Sequence, residues 1–169
     1  MAKTQIVLVD GIDNVVGYKE KFAAHKNPVP LHRAISVVIF SPDRKNILLQ
    51  KRNKDKPTWP LFWSNTACSH PFKNENYVDA ATRRLREEMG FSVPLKELFK
   101  FIYSAEYDKN WGEHEYDVVF EGVYDGAVVP DANEVDEYKW IVVSDLKKDL
   151  IKNSHLYTPW FKIILERML

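Results

Sequence analysis

The sequence predicts an α+β fold in which a mixed β-sheet is sandwiched between α-helices. Strand-like and helix-like segments follow one another irregularly, without the regular alternation that builds a doubly wound parallel sheet. Tyr77 to Met89 carries a clear helical period between groups of β-branched strands. At 169 residues and 45% hydrophobic, the chain can enclose one full core and is too short for two ordinary ones. No internal repeat, low-complexity tract or Pro/Gly/Ser linker divides it.

The elements follow in order. Gln5 to Val9 reads as a first strand, Gly11 to Gly17 as turn-rich, and Tyr18 to His25 as a short helix or loop carrying Lys21 and His25. Ala34 to Phe40 is a β-branched strand that returns through Ser41-Pro42-Asp43 to Ile47 to Lys51, a hairpin. The basic, proline-bearing stretch Arg52 to Pro60 is a loop. The helix over 77–89 has Asn76 as its N-cap, Val78, Ala81, Leu85 and Met89 on one face, and Gly90 as its stop. Leu98 to Ala105 and Tyr116 to Tyr124 are strands, with Trp111 to Glu115 leading into the second. Tyr138 to Val142 is another strand, Ser144 opens a short helix, and Thr158-Pro159 opens a C-terminal one, with proline at the first helical position.

Charge excludes some function classes. Lysine plus arginine equal aspartate plus glutamate at 24 each, so no bulk field holds nucleic acid or an anionic membrane, and any anionic ligand must be held locally. The single cysteine, Cys68, excludes an internal disulfide. The N-terminal apolar run, Ile6 to Val9, is short, and no stretch approaches the roughly 18 apolar residues of a membrane span. A soluble, cytoplasmic protein is expected.

The titratable residues point to enzyme chemistry. Glu113 and Glu115 lie two apart on a strand, so both carboxylates project to one face and His114 to the other. Alone, such a pair also fits the solvated side of an edge strand. With His25, His32 and His70 it makes a nitrogen and oxygen donor set that suits zinc or manganese better than calcium. On the helix, Arg84 with Glu88 and Arg83 with Glu87 sit four apart, and on spacing alone they are helix-stabilising ion pairs.

Glu75, Arg83 and Glu87-Glu88-Met89-Gly90, followed by Phe91, have the spacing of the Nudix signature, whose helix carboxylates hold magnesium on a diphosphate. Two positions depart from it: Ser69 stands at the opening glycine, and Arg84 replaces the glutamate after the arginine. That glutamate serves the hydrolytic metal cluster, so the departure counts against the runner-up reading, a Nudix pyrophosphohydrolase acting on a nucleoside diphosphate derivative. Further blocks are Lys21-Phe22-Ala23-Ala24-His25, Leu31-His32-Arg33-Ala34, Thr58-Trp59-Pro60, Trp63-Ser64-Asn65-Thr66, Cys68-Ser69-His70-Pro71, Arg83-Arg84-Leu85, Trp111-Gly112-Glu113-His114-Glu115 and Thr158-Pro159-Trp160-Phe161. In that order they resemble the type 1 isopentenyl-diphosphate isomerases, which have the Nudix fold.

The resemblance implies an isomerase that moves the double bond of isopentenyl diphosphate to give dimethylallyl diphosphate through a tertiary carbocation. It implies residues 1–30 as an N-terminal extension that supplies site residues and 31–169 as the Nudix catalytic domain. Cys68 matches the family's catalytic thiol, Glu115 its carboxylate, Tyr103 its assisting tyrosine and Trp160 the indole that steadies the cation. The assignment expected is Glu115 with Tyr103 as acid and Cys68 as base. His25, His32, His70, Glu113 and Glu115 match the ligands of one Zn2+ or Mn2+, and Glu88 the carboxylate that helps hold Mg2+ on the substrate. Lys21, Arg52, Lys56 and Arg84 match the basic residues around the diphosphate. The expected partner is this small-molecule diphosphate, and the chain a monomer or weak homodimer. By pattern alone, Trp160 with Ile164, Leu165 and Met168 also suits a helix that packs into the core.

Overall fold

The computed structural model describes residues 4–169. β1 (Gln5–Val9) pairs antiparallel with β2 (Val15–Glu20), which leads directly into α1 (Lys21–Ala24). The sequence left Val15–Glu20 without a strand because its outward side chains hide the alternation: Val15, Val16 and Tyr18 are exposed. Glu20 caps α1, accepting from the N–H groups of Phe22 and Ala23.

β3 (His32–Phe40) is the centre of a 9-stranded sheet. It runs parallel to β8 (Gly112–Val123), in register from His32 opposite Glu115 to Phe40 opposite Val123. β7 (Lys96–Glu106) pairs antiparallel on the far side of β8. β4 (Asn46–Arg52) meets β3 only beside the turn, at Ile39 with Leu48 and Phe40 with Ile47, so the expected hairpin opens after two pairs. Into the gap comes β6 (Ala67–Ser69), paired with β3 and placing Cys68 opposite Ser36. β5 (Trp63–Ser64) and β9 (Val135–Val142) both pair with β4. The two short strands carry too few residues to show a period.

Helices cover both faces, as expected. α2 (Tyr77–Met89) buries Ala80, Ala81, Leu85 and Met89 against Ile35, Val37, Ile39 and Val118. Val78, expected on this face, is exposed; the buried stripe is turned toward Ala80 and Glu88, and Val78 lies on its other flank. Gly90 ends α2 at φ 80°, where an added Cβ would stand 2.4 Å from the Val129 carbonyl oxygen; only glycine suits such a position. On the other face α3 (Val143–Lys152) and α4 (Pro159–Met168) bring Leu146, Trp160, Phe161, Ile164 and Leu165 onto Val38, Phe40, Leu49, Phe101 and Val119. Among the described residues, no helix is long and apolar enough to cross a membrane.

Candidate active site

The site lies on the α4 face, where the inward-facing positions change chemistry along each strand. β3 presents Val38 and Phe40 to the core at one end and His32 and Ser36 at the other. On β8 the same two-residue alternation carries Val119, then Asp117, Glu115 and Glu113. β7 adds Tyr103, in register with Glu115. His114, on the opposite face, pairs its Nδ1 with the Val29 carbonyl.

His25, His32, His70, Glu113 and Glu115 converge, with one donor atom from each within 4.8 Å of all the others. Three separate chain segments bring the imidazoles: the end of α1, the start of β3 and the end of β6. His25 Nδ1 is 2.6 Å from the Lys21 carbonyl oxygen and His32 Nδ1 2.9 Å from that of Pro30. These carbonyls accept from protonated Nδ1 atoms, which turns the Nε2 lone pairs inward. There, His25 Nε2 is 3.1 Å from Glu113 Oε2 and 3.2 Å from His70 Nε2; His70 Nε2 is 2.9 Å from Glu115 Oε1. Lone pairs facing carboxylates need a cation between them. His32 Nε2 and Glu113 Oε2, both buried, have no hydrogen-bond partner, so the donor set fits a divalent ion of zinc or manganese type. Without one, protons serve: burial opposes charge on His25, but Glu113 overcomes it and raises its pKa to about 9. Burial and the neighbouring imidazoles instead hold His70 well below its usual range, despite its bond to Glu115.

Glu115 is poised between these imidazoles and Tyr103, whose hydroxyl donates to Oε2 at 2.6 Å. Burial alone would raise the Glu115 pKa, but the His32 imidazole beside it and the hydrogen bond with His70 hold it well below the carboxylate range. Across the pocket, burial pushes the Cys68 thiol up to about 12, against the pull of Arg52, whose Nη1 is 3.9 Å from Sγ. These surroundings favour the thiol form of Cys68 and the carboxylate form of Glu115 while no cation shares the cluster.

Trp160 both packs and lines the pocket. Its indole N–H donates to Ser64 Oγ at 3.0 Å, and Ser64 in turn donates to Asn65 Oδ1 at 2.9 Å. Trp59 meets the ring edge-on at 5.4 Å, and the Arg52 guanidinium lies 5.2 Å from its centroid. No local period points to this fixing network: Trp59 and Asn65 lie outside helix and strand, and Ser64 sits in a two-residue strand.

Lys21, Arg52, Lys56 and Arg84 line the same pocket of about 290 Å3 as Cys68, Glu113, Glu115, Tyr103 and Trp160. Burial, Lys56 and Arg84 depress the Lys21 pKa and outweigh the opposing charges of Glu134 and Glu88. Glu88 stands apart from the His/Glu cluster. Its Oε1 accepts from Arg84 Nε and Nη2 at 3.0 and 2.7 Å, and its Oε2 from Gln50 at 2.6 Å. Both ion pairs that the helix spacing implied are present, Arg84 with Glu88 at 2.7 Å and Arg83 with Glu87 at 3.2 Å. Arg83 also grips Glu75 at 2.7 Å and the His70 carbonyl at 3.3 Å, tying α2 to the segment that carries a site imidazole.

A sheet covered on both faces, with a carboxylate-bearing helix beside a cationic pocket, defines a Nudix-type domain, and residues 30–161 match the NUDIX domain family. In fold the chain is similar to the crystal structure of DR0079 from Deinococcus radiodurans, with a TM-score of 0.72 at 16% identity over 88% of this chain and 90% of that one. In sequence it is 42% identical over 165 residues to isopentenyl-diphosphate Delta-isomerase 2 of Aromatoleum aromaticum, covering 98% of this chain and 86% of the relative. It is 35% identical to isopentenyl-diphosphate Delta-isomerase II of Clarkia breweri, over 100% of this chain and 68% of the relative. The chain belongs to the NUDIX family and, within it, to the isopentenyl-diphosphate Delta-isomerases.

Proposed function

We propose that this enzyme interconverts isopentenyl diphosphate and dimethylallyl diphosphate. The observation that carries the reading is one pocket lined by a thiol, a tyrosine-bonded carboxylate, an indole and a group of cations. An alkene is a weak base, so its protonation needs an acid held against it, a base for the departing proton and a wall that steadies a tertiary cation without attacking it.

Cys68 and Glu115 form the donor and acceptor pair. Protonated Glu115, with Tyr103, gives a proton to the terminal methylene, and the electron pair of the double bond forms the new C–H bond. Cys68, as thiolate, takes a proton from the carbon on the diphosphate side of the cation, and that C–H pair becomes the new double bond. Arg52 stands beside that thiolate, and the reverse reaction starts from the exchanged state. The Trp160 ring offers a π-face to the cation. Lys21, Arg52, Lys56 and Arg84 bind the diphosphate.

An ion of zinc or manganese type held by His25, His32, His70, Glu113 and Glu115 would supply positive charge beside Glu115 and sharpen the acidity of its protonated form. Mg2+ on the diphosphate, with Glu88 as its protein carboxylate, is the second cation of this reading; Glu88 reaches that role when Arg84 turns from it to the phosphate. The hydrolase alternative is weaker, because Arg84 occupies the signature's glutamate position and ties up Glu87 and Glu88. Incubation with isopentenyl diphosphate and magnesium should yield the dimethylallyl isomer. Release of phosphate or a phosphorylated alcohol without isomerisation would overturn the proposal.

A further inference from the structure

Glu134 is a carboxylate in the cationic end of the pocket that neither the Nudix signature nor the donor–acceptor pair accounts for. Its Oε2 alone accepts two cations: the Lys56 ammonium in a short ion pair, and Arg84 Nη2 at 3.1 Å. The side chain is three-quarters buried, and Arg84 more so. Its backbone is fixed independently. Glu134 N–H donates to the Asp131 carbonyl at 3.0 Å, and the Asn53 N–H donates to the Glu134 carbonyl at 3.1 Å. Asp131 N–H reaches the Glu88 carbonyl at the end of α2, also at 3.0 Å. One short segment thus ties the loop that carries Lys56 to the helix that carries Arg84, and sets a carboxylate between their charges.

We propose that Glu134 is a positioning residue that stands in for the diphosphate: it holds Lys56 and Arg84 at the pocket wall and competes with the incoming anion for them, so that it sets the affinity of the site. The inference rests on the diphosphate reading above and assigns it a residue. An isolated ammonium and guanidinium side by side repel each other and lose definition. A carboxylate between them keeps both extended into the pocket. Its own charge then opposes an arriving phosphate at close range, and the phosphate must take over both ion pairs. Lys21 completes the pattern: it lines the same pocket, and its ammonium has no anionic partner within ion-pairing distance among the described residues. Lys21 and Arg52 are thus left to attract the substrate while two cations are held in reserve.

The experiment is a calorimetric titration with inorganic pyrophosphate and magnesium. Glu134→Gln and Glu134→Met remove the charge while keeping the side chain's length, and either folded variant should bind pyrophosphate roughly threefold or more tightly than wild type. Glu134→Asp keeps the charge and should bind no tighter than wild type. In turnover the neutral variants should show a lower KM, and their pyrophosphate affinity should fall more steeply with salt. A damaged site binds more weakly, so a gain in affinity is not a result that misfolding produces. Equal or weaker pyrophosphate binding by the neutral variants would overturn the inference and leave the anion site standing. If Lys56→Ala leaves wild-type pyrophosphate affinity unchanged, the cationic end is not the anion site, and the diphosphate reading fails together with this one.

Discussion

The thiol of Cys68 is held between a guanidinium and a buried strand, so its removal takes away a proton carrier and very little packing. Cys68→Ala should lower isomerisation by several orders of magnitude while the melting temperature stays within a few degrees, because a small cavity beside a pocket costs little. Near wild-type turnover would exclude the thiol from catalysis; activity lost together with the fold would mark it as structural. Trp160 is a harder residue, since one ring faces both the pocket and the core. Trp160→Phe keeps a π-face and gives up only the hydrogen bond to Ser64, which retains Asn65 and Thr158 as partners. Trp160→Leu gives up the π-face as well. The Phe variant should therefore keep clearly more activity than Leu at comparable thermal stability, measured by turnover and calorimetry; equal activities would show that Trp160 only packs. Residue type made His25, His32, His70, Glu113 and Glu115 legible in the sequence, because imidazoles and paired carboxylates together are metal-donor chemistry. Gln50, Ser64 and Glu134 were not legible. A lone polar residue in a strand or loop reads as solvent-facing, and only packing reveals that Gln50 and Ser64 are buried.

Among the elements, α2 was the most legible and does the most positioning. Its cap, period and glycine stop are local signals, and the structure bears out the cap, the stop and the period except at Val78. β5 and β6 were illegible for the opposite reason: they exist because β3 and β4 part, a tertiary event with no local signature. α2 is tied to the site through Arg83, which holds Glu75 and the His70 carbonyl. Burial works against the Glu75 charge, but the hydrogen bond from Arg83 lowers its pKa overall. A carboxylate whose pKa is lower folded than unfolded stabilises the fold above its unfolded pKa of about 4.5 and loses that contribution as pH falls through the folded value. Glu75→Gln should accordingly cost about 1 kcal/mol or less at pH 7, since the pair is partly exposed. The difference from wild type should shrink as pH drops below 4.5, as measured by denaturant unfolding across that range. A gap independent of pH would show that Glu75 acts by shape and not by charge.

For the molecule as a whole, the His/Glu cluster is a closure point. Its donors come from the end of α1, the start of β3, the end of β6 and β8, so the N-terminal segment that precedes β3 is drawn into the centre by His25. Alternation along β8 foretold that Glu113 and Glu115 would share a face, but nothing local said that α1 would arrive beside them; that depends on the parallel pairing of β3 with β8. With lone pairs and carboxylates facing inward, the cluster leaves His32 Nε2 and Glu113 Oε2 without a hydrogen-bond partner, a demand that protons meet only in part. A bound divalent ion satisfies it fully and, because the unfolded chain has no such site, stabilises the fold by linkage: about 2.7 kcal/mol at a free ion concentration one hundred times Kd. Chelation should therefore lower the melting temperature as well as the activity, and adding back Mn2+ or Zn2+ should restore both. His25→Ala and Glu113→Ala should make the melting temperature insensitive to chelator. An unchanged melting curve for wild type in strong chelator, with metal analysis finding no bound ion, would show that the cluster closes on protons alone.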